Sequence, residues 1–269
     1  MYTSSSSPSS EPSVHEQGRW KIYEWVEASS TNDLARVLPP WSIARCTLQH
    51  SGRGRFNREW FGAEGGLWCS FTVPLPTSPT QAPTPATSAN SHHPVNWGHL
   101  PLLAGLALLD MLAIHGISIA RLRWPNDLLI GKSKLAGILV ERPSQDMAII
   151  GIGINIANDI ASLSGKVKDT PARIADIISP CPSLRDIMYS LSECIALRYD
   201  QFSTGGLAAI ATDLEKAWLE WLPVTIFTDD ETIQGVFQGI TDDGSPLLTL
   251  PDGTRRIVTA HTINRLIEN

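Results

Sequence analysis

Two short segments of the chain carry the residue types best suited to chemistry. The first, residues 51–60 (SGRGRFNREW), alternates glycine with arginine. Glycine lets the backbone approach a ligand closely, and the guanidinium groups of Arg53, Arg55 and Arg58 match phosphate or carboxylate oxygens. Such a loop suits a triphosphate or an acyl phosphate and could close over it. A solvated basic loop or an RNA-contacting loop has the same composition, and the Lys-Ser/Thr pair of a P-loop is missing.

The second segment, residues 123–141 (RWPNDLLIGKSKLAGILVE), places a polar turn just before a strand. Pro125 biases Trp124 toward an extended conformation. Asn126 and Asp127 then occupy a turn in which their side chains can bond the backbone or a ligand. Asp127 could help to hold Mg²⁺ or orient a ligand group, and a purely structural turn is the alternative.

Lys134 follows this turn and leads into Leu-Ala-Gly, ending at Gly137. The small residues leave room for a ligand against the backbone. A lysine beside such a surface can neutralise charge that develops on a carboxylate or an α-phosphate. The simpler interpretation is a lysine in a hairpin turn.

Hydrophobic periodicity predicts the elements that position these segments. Strands are predicted at 19–26, 42–49, 66–73, 117–124 and 148–156, with two more joined by the turn at 131–134. Helices are predicted at 100–115, 182–202 and 208–221, and a further helix begins at Ser30 or Thr31. From residue 223 onward, short strands separated by Asp-Gly turns predict a small all-β unit. The fold class is therefore α/β (α+β), a mixed sheet flanked by helices.

Composition narrows the classes of protein to consider. The net charge of −6 argues against a general nucleic-acid surface. Four scattered cysteines suggest buried thiols in a reducing cytoplasm, and no apolar run approaches the ~20 residues of a membrane span. The amino-terminal segment lacks the features of a secretory signal. We expect a disordered tail at 1–17 and a Pro/Ser-rich loop insert at 74–96, to which we assign no function.

The two chemical segments, together with SSTND at 29–33, GIGINI at 151–156 and the terminal β-unit, resemble the biotin protein ligases. The resemblance runs from Tyr23 to the carboxyl terminus, outside the insert. It implies a ligase domain at 18–222 and an SH3-like domain at 223–269.

The resemblance also implies site residues. Biotin and biotinyl-AMP would contact Ser30, Thr31, Asn32, Gln49, Arg53, Gly54, Arg55, Lys134 and Gly137. Arg53, Arg58, Asn126 and Asn155 would serve ATP, and Lys134, Arg55 and Asp127 would be catalytic. Trp60 and Trp124 are candidate walls for the apolar parts of biotin. No protein cluster for a metal is evident, apart from Mg²⁺ near Asp127.

The reaction implied has two steps. Biotin and ATP form biotinyl-5′-AMP, and biotin then passes to a lysine of a biotin carboxyl carrier protein. ATP and Mg²⁺ are the implied cofactors, and a cytoplasmic monomer or homodimer is expected. Some members carry a DNA-binding winged helix, which does not fit the short Ser/Pro-rich amino-terminal segment, so a monofunctional form without DNA binding is expected.

Some residues depart from the family pattern, and two other functions stay open. Asn57 stands where the family has glycine, and we expect it to tolerate the left-handed conformation of the turn. A lipoate or octanoate ligase shares the architecture, although its Arg-Arg-Ser-Gly-Gly-Gly-type loop is missing. A non-catalytic protein that binds biotin or the adenylate is the other alternative.

Overall fold

The structure is a computed structural model that describes residues 11–75, 96–161, 167, 169–218 and 222–269. Most of the predicted 74–96 insert and the first ten residues of the predicted tail lie outside the described residues. The described strands are β1 Ser13–Gln17, β2 Trp20–Ala28, β3 Ser42–Arg53, β4 Glu59–Gly62, β5 Leu67–Pro74, β6 Ala120–Arg123, β7 Asp127–Ile130, β8 Ser133–Glu141, β9 Met147–Ile154, β10 Pro223–Thr228, β11 Thr232–Ile240, β12 Pro246–Thr249, β13 Arg255–Ile257 and β14 Ile263–Glu268. The helices are α1 Thr31–Ala35, α2 Leu100–Ile114, α3 Leu184–Gly205 and α4 Ala211–Ala217.

The larger sheet has nine strands in the order β1-β2-β3-β5-β9-β8-β7-β6, with β4 paired to β3 outside this path. Strands β2 and β3 run parallel, and the other neighbours pair antiparallel. The mixed sheet predicted from the sequence is therefore confirmed.

Each face of this sheet is covered by different elements. Side chains alternate along β5, so Cys69 and Phe71 enter the main core while Trp68 enters a smaller cluster on the opposite face. Helices α2 and α3 pack together on the main-core face. Helix α1 contacts β3, β5 and β9 and belongs, through Ala35, to the smaller cluster. The candidate site lies on the α1 side.

Helix α2 is apolar around its whole circumference because it lies between the sheet and the other helices. The expectation that no apolar run approaches the length of a membrane span is wrong for the 18-residue stretch Trp97–Ile114, which is long and apolar enough to cross a membrane on length and composition. In the fold, however, 61% of this stretch is buried. This helix is thus accounted for as the central helix of the core.

The carboxyl-terminal sheet is antiparallel, with the order β13-β12-β11-β10-β14. It is joined to the larger domain by polar contacts at its base. Trp124 Nε1 donates to the carbonyl of Gly244 at 3.1 Å, and Arg121 Nη1 lies 2.6 Å from a carboxylate oxygen of Glu268. These contacts place β14 beside the hairpin of β6 and β7, in which β7 begins at Asp127.

One prediction about the amino-terminal segment is wrong. Residues 13–17 were expected to be disordered, but they form β1, which pairs with β2 in a hairpin. Gly18 takes a φ of 57° in the two-residue turn that connects the strands, a geometry typical of tight hairpins. Because the residues before Ser13 are rich in serine and proline, the sequence interpretation extended the predicted disorder into β1.

The predicted buried thiols are confirmed. Cys46, Cys69 and Cys194 are buried, Cys181 is partly buried, and all four are free. Burial raises the pKa of the Cys46 thiol to about 12, so this thiol is not an activated nucleophile.

Candidate active site

Three glycines form the floor of a cavity of about 430 Å³ on the α1 side of the sheet. Gly137 of β8 pairs with Gly153 of β9, and Gly151 lies two residues along the same strand. A Cβ atom at Gly153 would lie 2.4 Å from Trp60 Nε1, and one at Gly137 would lie 2.7 Å from Trp60 Cζ3. A Cβ atom at Gly151 would lie 2.2 Å from Asn32 Oδ1. At these three positions the strands present only backbone atoms, and the Trp60 indole and the Asn32 amide pack directly against them.

The start of α1 forms a neutral, polar end of the cavity. Ser30, Thr31 and Asn32 are each 4% exposed. The backbone N–H of Thr31 donates to Gln49 Oε1 at 2.9 Å, and Ser70 Oγ lies 2.8 Å from Thr31 Oγ1 and 2.6 Å from Asn32 Oδ1. Asn32 Nδ2 is buried and has no hydrogen-bond partner among the described residues. A buried amide nitrogen without a partner can donate a hydrogen bond to a polar ligand.

The glycine-arginine loop continues β3 over one side of the cavity. The amide of Gly54 donates to the carbonyl of Arg58 at 2.7 Å and closes the loop. Phe56 takes the left-handed conformation, with a φ of 57°. The sequence predicts the left-handed conformation at Asn57, but the structure has it one residue earlier, at Phe56. The side chain of Asn57 lies outside the described residues.

Arg53 does not stand free at the cavity. Its guanidinium donates two hydrogen bonds of 2.7 Å to the carboxylate of Asp33 and lies 3.6 Å from Glu141. The hydrogen bonds from Arg53 hold the pKa of Asp33 below its ordinary value. A salt-bridged arginine of this kind is already satisfied by protein groups.

Asp127 lies between two cations. Lys134 Nζ is 2.6 Å from Asp127 Oδ1, and Arg123 Nη2 is 2.7 Å from Asp127 Oδ2. Arg123 also donates to both oxygens of Asp169, at 3.0 and 2.9 Å. Burial alone would raise the pKa of Asp169, but the hydrogen bonds from Arg123 hold it below the ordinary value. The ammonium of Lys134 lies 5.1 Å from the centre of the Trp60 ring.

The surroundings of Asp127 do not fit a resident Mg²⁺ ion. Both of its carboxylate oxygens face a cation of the protein, whereas Mg²⁺ requires free oxygen ligands in octahedral geometry. No group of three or more metal-ligating side chains occurs in the described part of the chain. The expectation that Mg²⁺ could be held near Asp127 is therefore corrected.

Two asparagines that were candidates for contact with ATP form hydrogen bonds to backbone carbonyls. Asn126 Nδ2 donates to the carbonyl of Ile138 at 2.9 Å, and Ile138 N–H donates back to the Asn126 carbonyl at 2.9 Å. Asn155 Nδ2 donates to the carbonyl of Lys134 at 3.5 Å, and Asn155 Oδ1 accepts a hydrogen bond from Asn158 Nδ2 at 3.1 Å. Both asparagines line the cavity, and their side chains shape its wall through these bonds.

The opposite end of the cavity is cationic and includes the carboxyl-terminal sheet. Arg55, Arg58 and Arg265 line it, and Arg55 Nη2 lies 3.5 Å from the carbonyl of Ile263. Burial lowers the pKa of Arg55, partly offset by Asp127. Burial and repulsion from nearby arginines also lower the pKa of Arg265. None of these three arginines has an ion-pair partner within 4.0 Å in the described residues, so this end is electrostatically suited to a polyanion.

The structure brings all of the predicted site residues to this one cavity. They are Ser30, Thr31, Asn32, Gln49, Arg53, Gly54, Arg55, Arg58, Asn126, Asp127, Lys134, Gly137 and Asn155. The candidate walls Trp60 and Trp124 line it as well. The sequence interpretation missed Ser70, Arg123, Gly151, Gly153, Asp169, Asn264 and Arg265. A serine inside an apolar strand and two alternating glycines in GIGINI were signals for three of these residues, whereas Asp169 and Arg265 carried none.

Comparison with known proteins gives consistent matches over most of the chain. Residues 37–155 match the biotin/lipoate A/B protein ligase family, and residues 223–261 match the biotin protein ligase C terminal domain. A biotin--[acetyl-CoA-carboxylase] ligase of Paracoccus denitrificans is 30% identical over 255 residues, which cover 87% of this chain and 96% of that protein. The bifunctional ligase/repressor BirA of Bacillus spizizenii is 29% identical over 259 residues, covering 90% of this chain and 73% of that protein.

The fold is shared with solved structures. A biotin protein ligase from Aquifex aeolicus, in complex with biotin and ATP, superposes with a TM-score of 0.75 at 22% identity. The superposition covers 92% of this chain and 99% of that one. The nine-stranded sheet and the small β-domain therefore form one established architecture.

Proposed function

Because the chain belongs to the biotin protein ligase family, we propose that it joins biotin to AMP and transfers biotin to a carrier protein. In the first step, an oxygen of the biotin carboxylate attacks the α-phosphorus of ATP, and pyrophosphate leaves. In the second, the ε-amine of a lysine attacks the carbonyl of biotinyl-5′-AMP, and AMP leaves as the amide forms. The acceptor lysine belongs to a biotin carboxyl carrier protein.

The observation that carries the proposal is the difference in polarity between the two ends of this cavity. Its end at α1 offers neutral hydrogen-bonding groups from Thr31 and Asn32, and its opposite end offers Arg55, Arg58 and Arg265. Biotinyl-5′-AMP has the same division, with a neutral ureido ring joined through an apolar chain to an anionic phosphate. The indole of Trp60 lies between the two ends, where it can contact the apolar chain.

Lys134 is proposed to act at the reacting atoms. It is 20% exposed in its side chain and lines the middle of the cavity. There its ammonium would neutralise the approaching carboxylate and α-phosphate, and later polarise the carbonyl of the adenylate. Asp127 is better described as a positioning residue, because its two carboxylate oxygens face Lys134 Nζ at 2.6 Å and Arg123 Nη2 at 2.7 Å. It would hold the ammonium in place beside the reacting atoms.

The arginines at the far end are proposed to bind the triphosphate. Bringing a carboxylate to ATP joins two anions, and unpaired guanidinium groups offset that repulsion. Arg265 comes from β14, so the carboxyl-terminal domain would supply part of the nucleotide site. ATP is thus the co-substrate, and the described carboxylates do not form a resident metal site.

The acceptor and the setting of the reaction also belong to the proposal. A carrier lysine must enter from the side of the glycine-arginine loop, because the sheet floor closes the opposite side. We propose a cytoplasmic location, where ATP is available. Whether the ligase acts as a monomer or a homodimer stays a prediction.

Biotin-dependent exchange of pyrophosphate into ATP tests the proposal. Purified full-length protein would be assayed with MgATP and biotin, with lipoate and octanoate as parallel acids. Exchange with biotin alone is expected, followed by labelling of a carrier domain. Exchange with lipoate or octanoate instead would indicate the sister activity. Absence of exchange from folded protein that still binds biotin would indicate a non-catalytic binder.

A further inference from the structure

Four side chains form a closed ring of alternating charge beside the cavity. Arg53 bonds Asp33 at 2.7 Å, Asp33 lies 3.5 Å from Arg36, Arg36 lies 2.9 Å from Glu141, and Glu141 lies 3.6 Å from Arg53. The two arginines and two carboxylates cancel one another. We call this set the charge ring.

The charge ring joins three elements that carry different parts of the site. Asp33 and Arg36 lie on or directly after α1, whose first residues form the neutral end of the cavity. Arg53 is the last residue of β3 and begins the glycine-arginine loop. Glu141 ends β8, the strand that carries Lys134. Arg53 is the member of the charge ring that lies on the loop, so the ring joins the loop to α1 and to β8.

We propose that Arg53 is a positioning residue that fastens the glycine-arginine loop to α1 through Asp33, while Arg55 and Arg58 meet the ligand. Two observations support this division. First, Nη1 and Nη2 of Arg53 both donate hydrogen bonds to the carboxylate of Asp33. Second, Arg55 and Arg58 have no ion-pair partner within 4.0 Å among the described residues. The inference rests on the proposed function, since the loop is taken to retain biotinyl-5′-AMP.

The proposal predicts a symmetry that direct ligand contact does not. If Arg53 acts through Asp33, then Asp33→Asn and Arg53→Gln break the same link and cause the same defect. Their combination then adds nothing, because residues that act as one unit are non-additive. If Arg53 contacted phosphate instead, Asp33→Asn would release it and leave nucleotide binding unchanged or stronger.

The experiment compares full-length wild type, the two single variants and the double variant. Asp200→Asn is the matched control, because Arg19 and Asp200 form a similar two-bond pair, at 2.8 and 2.6 Å, on the far side of the protein. Amide hydrogen exchange of residues 52–58 in the ligand-free protein reports fastening without any need for activity. The release rate of preformed biotinyl-5′-AMP, and KM and kcat for pyrophosphate exchange, report its consequence.

We expect faster exchange at 52–58 and faster adenylate release in all three ring variants, by about fivefold. That factor corresponds to roughly 1 kcal/mol at 1.4 kcal/mol per tenfold, the upper end for partly exposed ion pairs. The control should change neither value.

Three results would overturn the inference. One is a rise in KM for ATP in Arg53→Gln without a matching rise in Asp33→Asn. Another is a double variant whose defect is the product of the two single defects. The third is a lower melting temperature in the ring variants with unchanged adenylate release, which would indicate a role in stability only. If wild type lacks pyrophosphate exchange, the proposed function fails, and the hydrogen-exchange comparison still tests the fastening.

Discussion

Replacement of Gly153 by alanine tests the floor of the site most directly. The added Cβ atom would lie 2.4 Å from Nε1, 2.5 Å from Cε2 and 2.9 Å from Cζ2 of Trp60. Ordinary contact begins near 3.4 Å, so the indole must move by about 1 Å. Because β9 is paired on both sides, with β5 and β8, we expect its backbone to stay in place. Trp60 lies on the four-residue strand β4, so its indole is the group that moves.

The expected magnitude follows from this geometry. Overpacking by one methyl group typically costs about 1–3 kcal/mol. Displacing Trp60 moves it away from Gly137 and from the ammonium of Lys134. If that cost falls mainly on the bound state, biotin affinity should fall about 5- to 140-fold, at 1.4 kcal/mol per tenfold. If part of it falls on the folded protein, the melting temperature should fall by about 2–4 °C per kcal/mol.

Calorimetric titration with biotin and a thermal melt would measure both effects. Trp60→Phe is the matched partner, because phenylalanine lacks Nε1 and Cζ2, and Nε1 has no hydrogen-bond partner among the described residues. The Gly153→Ala/Trp60→Phe double variant should regain much of the affinity that Gly153→Ala loses. A Gly153→Ala protein with wild-type affinity and melting temperature would refute the packing argument. Failure of Trp60→Phe to restore affinity would place the clash elsewhere.

Four further predictions follow from the same geometry. Lys134→Met should lower the rate of pyrophosphate exchange by about 10²–10³-fold, the usual effect of losing one donor to a developing charge. Lys132→Met, in the exposed turn two residues earlier, should retain the wild-type rate, and equal rates would contradict the role of Lys134. Arg55→Gly should increase the release of free biotinyl-5′-AMP, measured by labelling of bystander protein; unchanged retention would argue against ligand contact. Arg265→Gln should raise KM for ATP and leave KM for biotin unchanged, whereas equal effects on both would count against a nucleotide role for β14. Asp33 has a lowered pKa, so its stabilising effect is complete above about pH 3.9 and declines as pH falls below that value. The difference in urea midpoint between wild type and Asp33→Asn should therefore shrink toward pH 3, and a constant difference would contradict it.

Local sequence signals were sufficient for most of the fold. The apolar run at 66–73 predicts a buried strand because β5 is covered on both faces. Helix α3 begins after Ser183, whose side chain accepts a hydrogen bond from the Asp186 amide at 3.1 Å, and the residue types at this cap are visible in the sequence. Over its described residues, the helix predicted at 208–221 is a 3₁₀ turn at Gly206–Ile210 followed by the short α4, and residues 219–221 lie outside the described part of the chain. Apolar spacing does not distinguish these two helix types.

The site was predictable only as far as side-chain type reveals a partner. The spacing of Arg53, Arg55 and Arg58 indicates a cationic loop, but it does not indicate which arginine is paired. That depends on Asp33 and Glu141, which lie 20 and 88 residues away in the chain and meet Arg53 only after folding. Arg123 and Asp169, which lie 46 residues apart in the chain, likewise meet only after folding. Long-range charge pairing was therefore the information that the sequence did not carry.

The bare floor has a consequence for how such a site can diversify. Gly137, Gly151 and Gly153 are each covered by a side chain that leaves no space for a Cβ atom. A side chain at any of these three positions collides with Trp60 or Asn32, whatever the substrate. We therefore expect a change of acid specificity to require exchanges in the segments above the floor, in the glycine-arginine loop and α1, rather than in the sheet.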